Sequence, residues 1–329
     1  MTGEPLRSYA LGTRRGLEAC ASPRGTFAVL ALDHRQNLRR ELRPADPESV
    51  TYDEMVAFKR AAVRALAPTA TGTLLDPEIG AAQCIADGSL PARAGLIVAL
   101  EATGFEGPST ARVSRILDGW NAEKAKRMGA AAAKLLVYFH PDAANAADQE
   151  RLVADVAADC RALDLALFVE PLSFSVVEGQ ALGGEARRRV VVETARRLTA
   201  IGGDILKAEF PYDASITDRG LWHEACAELD EASSVPWVLL SGGVDDATFE
   251  AQVSTACDAG ASGVLVGRSV WAEAATMEQA ARDAFLATTG RQRLRRLADL
   301  VESVGRPWHD RPSRLTSGPM PGDGWYRDY

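Results

Sequence analysis

The chain has little of what would tie it to a metal, a disulfide scaffold or a membrane. Four of its 329 residues are histidine (34, 140, 223 and 309), and none stand at the HxH, HxxH or HxxxH spacings that bring two imidazoles to one metal. No catalytic metal and no bound cofactor are therefore expected. The five cysteines (20, 84, 160, 226 and 257) are odd in number, scattered and without a CxxC pair, the pattern of reduced thiols in a cytoplasmic protein. No run approaches the ~18 uninterrupted apolar residues of a membrane helix, and the opening MTGEPLRSYALGTRRG lacks the apolar stretch of a secretory signal. Basic residues number 37 against 45 acidic ones, a formal charge of −8 that leaves no footprint for nucleic acid. A pocket that is locally positive toward a small anion is compatible with that balance. No strand-to-helix junction carries GxGxxG, which disfavours a dinucleotide fold.

What the chain does have is alternation. Short runs rich in Val, Ile and Leu recur at 26–34, 72–78, 95–101, 131–139, 166–172, 204–211, 237–243 and 262–271. Segments of helical period lie between them, at 53–66, 80–88, 112–128, 145–163, 185–200, 218–232 and 245–259, with a last one at 273–289. Near-continuous apolar strands separated by helices imply a parallel sheet covered on both faces. Eight such units predict a (β/α)8 TIM barrel, one catalytic domain spanning residues 1–305. From 306 to 329 the chain turns to proline, glycine and aromatics without helical period, and an irregular tail is expected.

In a barrel the functional mouth lies at the C-terminal ends of the strands. Those ends carry Asp33-His34-Arg35, Asp76 and Glu78, Glu101, Lys134 to Tyr138, Glu170, Lys207 and Glu209, Ser241-Gly242-Gly243, and Gly267-Arg268-Ser269. Residues two apart in a strand share a face. In DILKAEFP (204–211), Leu206, Ala208 and Phe210 form an apolar outer set, so Ile205, Lys207 and Glu209 are assigned to the interior. The same rule sends Asp33, Lys134 and Glu170 inward. Two lysines and two carboxylates converging at the mouth suit amine catalysis, in which a neutral lysine attacks a ketone and the resulting iminium draws electrons from a neighbouring bond. Glu170 is the candidate proton shuttle. A structural ion network accounts for the same four residues. The glycines of SGGVDD and VGRSVW let backbone N–H groups approach phosphate oxygens after strands 7 and 8, where Arg268 adds a bidentate grip.

Together ALDHR, AAAKLLVYFHPD, LFVEP, DILKAEFP and PWVLLSGGVDDATFEAQVSTACDAGASGVLVGRSVW resemble the class I aldolases that include tagatose-bisphosphate and sulfofructosephosphate aldolases, over about residues 25–305. The strand 7–8 block and the Lys-Leu-Leu of strand 4 are nearer the sulfofructosephosphate branch. The resemblance implies a Schiff-base lysine at Lys207, an acid/base at Glu170 and site-lining roles for Lys134 and Asp33. It also implies that Ser241 and Arg268 contact an anionic group; Arg35, Gly242, Gly243 and Gly267 are further candidate substrate- or phosphate-binding positions. The implied reaction cleaves a phosphorylated ketose to dihydroxyacetone phosphate and an aldehyde, and a homo-oligomer is expected. His34 stands where relatives carry glutamine, and Gly242 where they carry serine or alanine. A sugar-phosphate isomerase or epimerase with Glu170 as base, and a non-catalytic sugar-phosphate-binding regulator, use the same residues.

Overall fold

In the computed structural model, residues 7–311, 315–316, 322–327 and 329 are described. Eight parallel strands close into a barrel in chain order: β1 (Phe27–Leu32), β2 (Gly72–Leu75), β3 (Gly95–Ala99), β4 (Ala132–Tyr138), β5 (Ala166–Leu172), β6 (Ile205–Ala208), β7 (Trp237–Leu240) and β8 (Gly263–Val266). The ring closes where β8 pairs with β1, Gly263 opposite Phe27. Alternation divides the strand residues as their sequence requires. Phe27, Val29, Leu74, Ile97, Phe168, Ile205, Val238 and Leu265 pack on one another inside the barrel. Leu30, Leu75, Val98, Leu135, Val169, Leu206 and Leu239 pack outward against the helices.

Two elements at the N-terminal end of the strands stop the barrel from being an open tube. Helix α1 (Leu11–Cys20) lies beneath it and adds Leu17 and Cys20 to the interior cluster. The approach is close enough to need glycine: a Cβ on Gly95 would lie 2.2 Å from the Ala19 carbonyl oxygen, and one on Gly16 would lie 2.1 Å from that of Ala131. The second element is Trp308, which joins the same cluster, donates its backbone N–H to Gly25 O at 2.9 Å and meets Tyr9 edge-to-face. Arg306 and Arg311 clamp this segment onto Asp230, at 3.0 and 2.5 Å. The beginning of the segment expected to be an irregular tail therefore forms the barrel floor. Residues 312–314, 317–321 and 328 of that tail lie outside the described residues. Trp308→Ala is expected to cost about 3–5 kcal/mol through the lost burial and the cavity left behind, read as a lower urea midpoint at unchanged slope.

The helices depart from expectation in several places. Helix α1 precedes every segment expected to be helical, and Arg268–Trp271 is a helix where the last strand was expected to continue. Where 112–128 reads as helical, only α5 (Ala122–Met128) forms, because the N-cap is Asn121, whose side chain accepts the Lys124 N–H at 2.9 Å. Residues 101–116 instead fold back on themselves through bridges between Glu101 and Ile116 and between Glu106 and Val113. The segment read as 273–289 begins at Gln279 and runs through a π turn at Leu286–Gly290 into a helix ending at Val304. Helix α2 (Gln36–Leu42), directly after the first strand-end cluster, was not anticipated. Helix α3 (Tyr52–Leu66) is close to expectation and starts with a capping box, Thr51 and Glu54 satisfying each other's backbone N–H. No described helix is long and apolar enough to cross a membrane.

Candidate active site

The strand ends enclose a cleft of about 190 Å³ whose walls include Asp33, Glu101, Lys134, Glu170 and Lys207. Lys134 is the hub. Its ammonium donates to Asp33 Oδ2 at 2.8 Å and Glu101 Oε1 at 2.7 Å, and lies 2.7 Å from Glu170 Oε2. Glu170 Oε1 is 2.6 Å from Lys207 Nζ. Glu170 thus stands between the two lysines, yet its Oε2 has no partner of hydrogen-bonding geometry. An ion-pair contact with Lys134 holds that oxygen in place.

The electrostatics follow from burial and proximity. Burial alone would depress the Lys134 ammonium, but Asp33, Glu101 and Glu170 outweigh it and hold it well above the usual lysine value. Burial would raise Asp33, but Lys134 and then Lys207 overcome it and hold that carboxyl well below the usual range. Lys134 is thereby a fixed cation about which the site is built. His34 is pushed down to about 4, by burial first and against the pull of Asp33. Its imidazole is neutral at ordinary pH, lines the cleft, and carries an Nδ1 without a hydrogen-bond partner.

Across the mouth, Ser241 Oγ accepts the Gly267 N–H at 3.2 Å, which ties the end of β7 to the end of β8. Gly267 and Arg268 line the cleft. Gly242 and Gly243 form the exposed turn after β7, and Gly243 has the positive φ of +80° that favours glycine. Arg268 begins a short helix (Arg268–Trp271) and has Glu41 at 3.7 Å, so its guanidinium is only loosely paired. Arg35 is held more firmly. It donates to Glu78 Oε2 at 2.7 Å and to the Glu101 carbonyl at 2.8 Å.

Alternation fails at Glu209, and the strand-end position of Asp76 does not bring it to the cleft. Glu209 is absent from the cleft wall: β6 ends at Ala208, and Glu209 instead accepts from Ser173 N at 2.7 Å and Arg187 at 3.0 Å. Alternation lapses where the strand does. Asp76 is likewise withdrawn from the cleft, fully buried against Lys59 of α3. Conversely, Glu101 was read only as a strand-end residue, although it contributes as much to the Lys134 cage as Asp33. Its parity with Ile97, an interior residue, was the available signal. Among the described residues no group of three His, Cys, Asp or Glu side chains stands at metal-ligating distances.

The model of the DeoC/LacD family of aldolases matches residues 27–273. The chain is 31% identical over 322 residues to tagatose 1,6-diphosphate aldolase 2 of Streptococcus agalactiae, covering 91% of this chain and 98% of that one. It is 30% identical to tagatose 1,6-diphosphate aldolase of Lactococcus lactis, with the same coverage. Among solved structures, a Schiff-base-forming fructose-1,6-bisphosphate aldolase superposes with a TM-score of 0.59 at 20% identity, over 88% of this chain and 99% of that one. Fructose-bisphosphate aldolase of Plasmodium falciparum superposes with a TM-score of 0.71 at 13% identity, over 93% and 99%. At those identities the superpositions speak for the barrel alone, whereas the family match spans every strand and all four central charged residues. The chain belongs to the DeoC/LacD family of aldolases.

Proposed function

We propose that the chain is a class I aldolase in which Lys207 forms a Schiff base with a phosphorylated ketose, and that the products are dihydroxyacetone phosphate and an aldehyde. The observation that carries this reading is the pairing of Lys207 Nζ with Glu170 Oε1 at 2.6 Å beside an open cleft. Glu170 takes a proton from the Lys207 ammonium, and the freed amine adds to the ketone carbon. The same carboxyl returns the proton to the departing hydroxyl, and water leaves the iminium. Glu170, ionised again once water has left, takes the proton from the hydroxyl on the far carbon of the scissile bond, and the bond electrons pass to the iminium nitrogen as the aldehyde departs. Protonation of the enamine and hydrolysis then release dihydroxyacetone phosphate. Lys134 holds Asp33, Glu101 and Glu170 in one place, while Ser241, Gly243, Gly267 and Arg268 receive the phosphate next to the ketone.

The relatives named above favour tagatose 1,6-bisphosphate, and a 6-sulfonated ketose 1-phosphate presents the same pair of terminal anions. The test is borohydride reduction in the presence of each member of a ketose phosphate panel, sulfonated and not. One substrate-sized mass on Lys207, with cleavage products in the unreduced control, is expected. Product formed without carbon–carbon cleavage and without a trapped adduct would establish an isomerase instead. Arg268→Ala is expected to raise KM about 10-fold or more, with a smaller effect on kcat, by removing a charged grip on phosphate; steady-state kinetics check it.

A further inference from the structure

One buried ion pair lies behind the mouth and outside the chemistry above. Lys59 on α3 and Asp76 just after β2 are both 0% exposed. Lys59 donates to Asp76 Oδ1. The other oxygen, Oδ2, accepts two backbone N–H groups, Glu78 at 3.0 Å and Ile79 at 2.8 Å. From that pinned turn Glu78 reaches Arg35 at 2.7 Å, and the other arm of the Arg35 guanidinium is fixed on the Glu101 carbonyl at 2.8 Å. Gly80 lets the turn close over the carboxylate, since a Cβ there would lie 2.8 Å from Asp76 Oδ1.

We infer that Lys59 is a positioning residue for Arg35, acting through Asp76 and the Glu78 turn. Taking an ammonium and a carboxylate fully out of water is costly, and well-packed apolar residues often stabilise a fold equally well. The stability of the barrel therefore does not explain the pair. What an apolar pair lacks is an oxygen that accepts both N–H groups of the turn. By donating to Oδ1, Lys59 fixes Asp76 in the rotamer that does so. Burial presses the Lys59 ammonium downward and Asp76 opposes it. Without Lys59, Oδ1 of Asp76 loses its buried donor, the carboxylate is free to turn away from the Glu78 and Ile79 N–H groups, the turn loosens, and Glu78 no longer fixes Arg35. Neither Lys59 nor Asp76 lines the cleft, so the effect falls on substrate binding. The inference rests on the proposed function and adds one premise to it, that Arg35, a cleft-lining cation, takes the anionic group far from the ketone.

The experiment has two readouts. In the free protein, Lys59→Met is expected to abolish hydrogen-exchange protection of the Glu78 and Ile79 amides, a result independent of any substrate. In steady-state kinetics with a ketose anionic at both ends, Lys59→Met is expected to raise KM about 10-fold with kcat within about 2-fold. The substrate lacking the far anion is expected to show no KM change. On an Arg35→Met background, Lys59→Met adds no further KM change, because residues on one path are non-additive. Lys59→Gln keeps a donor of nearly the same reach and serves if the methionine variant does not fold; the same pattern at smaller size is expected. Retained protection of the two amides overturns the inference. So does a KM effect that multiplies with that of Arg35→Met. Absence of cleavage in the wild-type protein would remove the proposed function but leave the exchange result standing.

Discussion

Lys207→Met is expected to lower kcat by roughly 10⁴-fold or more, the order seen when a covalent nucleophile is deleted, and to leave no borohydride-trapped adduct. Methionine matches the lysine in length and suits a position that is 4% exposed, so the variant is expected to fold and to bind substrate. What it removes is the atom proposed to form the iminium. Lys134 is no substitute. Its nitrogen is spread over Asp33, Glu101 and Glu170 at 2.7–2.8 Å, and those carboxylates hold its proton firmly. The two lysines therefore differ in kind, one surrounded by anions and the other touching a single carboxylate beside the cleft. A stopped assay for triose phosphate, paired with intact-protein mass spectrometry, measures both halves of the prediction. Residual turnover within 10-fold of wild type, or an adduct shifted to Lys134, would reverse the assignment of the two roles.

That difference was only partly legible in the sequence. Strands buried on both faces read as apolar runs, so the eight of them, their parallel order and the inward parity of Asp33, Lys134, Glu170 and Lys207 could be written from the chain alone. Parity fails where hydrogen bonding to the neighbouring strand ends, which is why Glu209 went to Ser173 and Arg187 rather than to the mouth. The share of Glu101 in the cage depends on a backbone that leaves β3 at Ala99 and still keeps its parity two residues later, which no local pattern announces. Helix α1 was illegible for another reason. Gly12 and Gly16 lower its helical propensity, and both are needed so that it can press against the barrel: a Cβ on Gly12 would lie 2.7 Å from that of Asp164. Lys59 is harder still, because a lysine on a helix reads as solvent-facing until its partner 17 residues onward is seen beneath it.

Lys134→Met is expected to be damaging in a different way. It removes the cation that Asp33, Glu101 and Glu170 share and leaves Lys207 on Glu170 alone, and removing one partner from a buried ion pair costs about 3–5 kcal/mol. In the wild-type protein Asp33 is held well below its usual value, so its contribution is present above about pH 4 and lost as pH falls through the lower folded value. The raised Lys134 contributes on the other side, its stabilisation present below about pH 10 and lost as pH rises through the higher folded value. Between those limits the cage makes stability nearly independent of pH. In the variant the sign reverses. With Lys134 gone, burial, the largest influence on Asp33, is opposed mainly by Lys207, so the Asp33 carboxyl is expected above its unfolded value, the native state binds more protons than the unfolded chain, and stability falls as pH rises from about 4 toward 7. Thermal melts are expected to show Lys134→Met more stable at pH 5 than at pH 7, while the parent protein changes little. Glu170 loses the contact that fixes its second oxygen and with it the placement against Lys207, so kcat at neutral pH is expected to fall about 100-fold or more. A variant whose melting temperature tracks the parent at both pH values would mean that the three carboxylates relax apart without Lys134, and that the cage is not what holds Glu170 against Lys207.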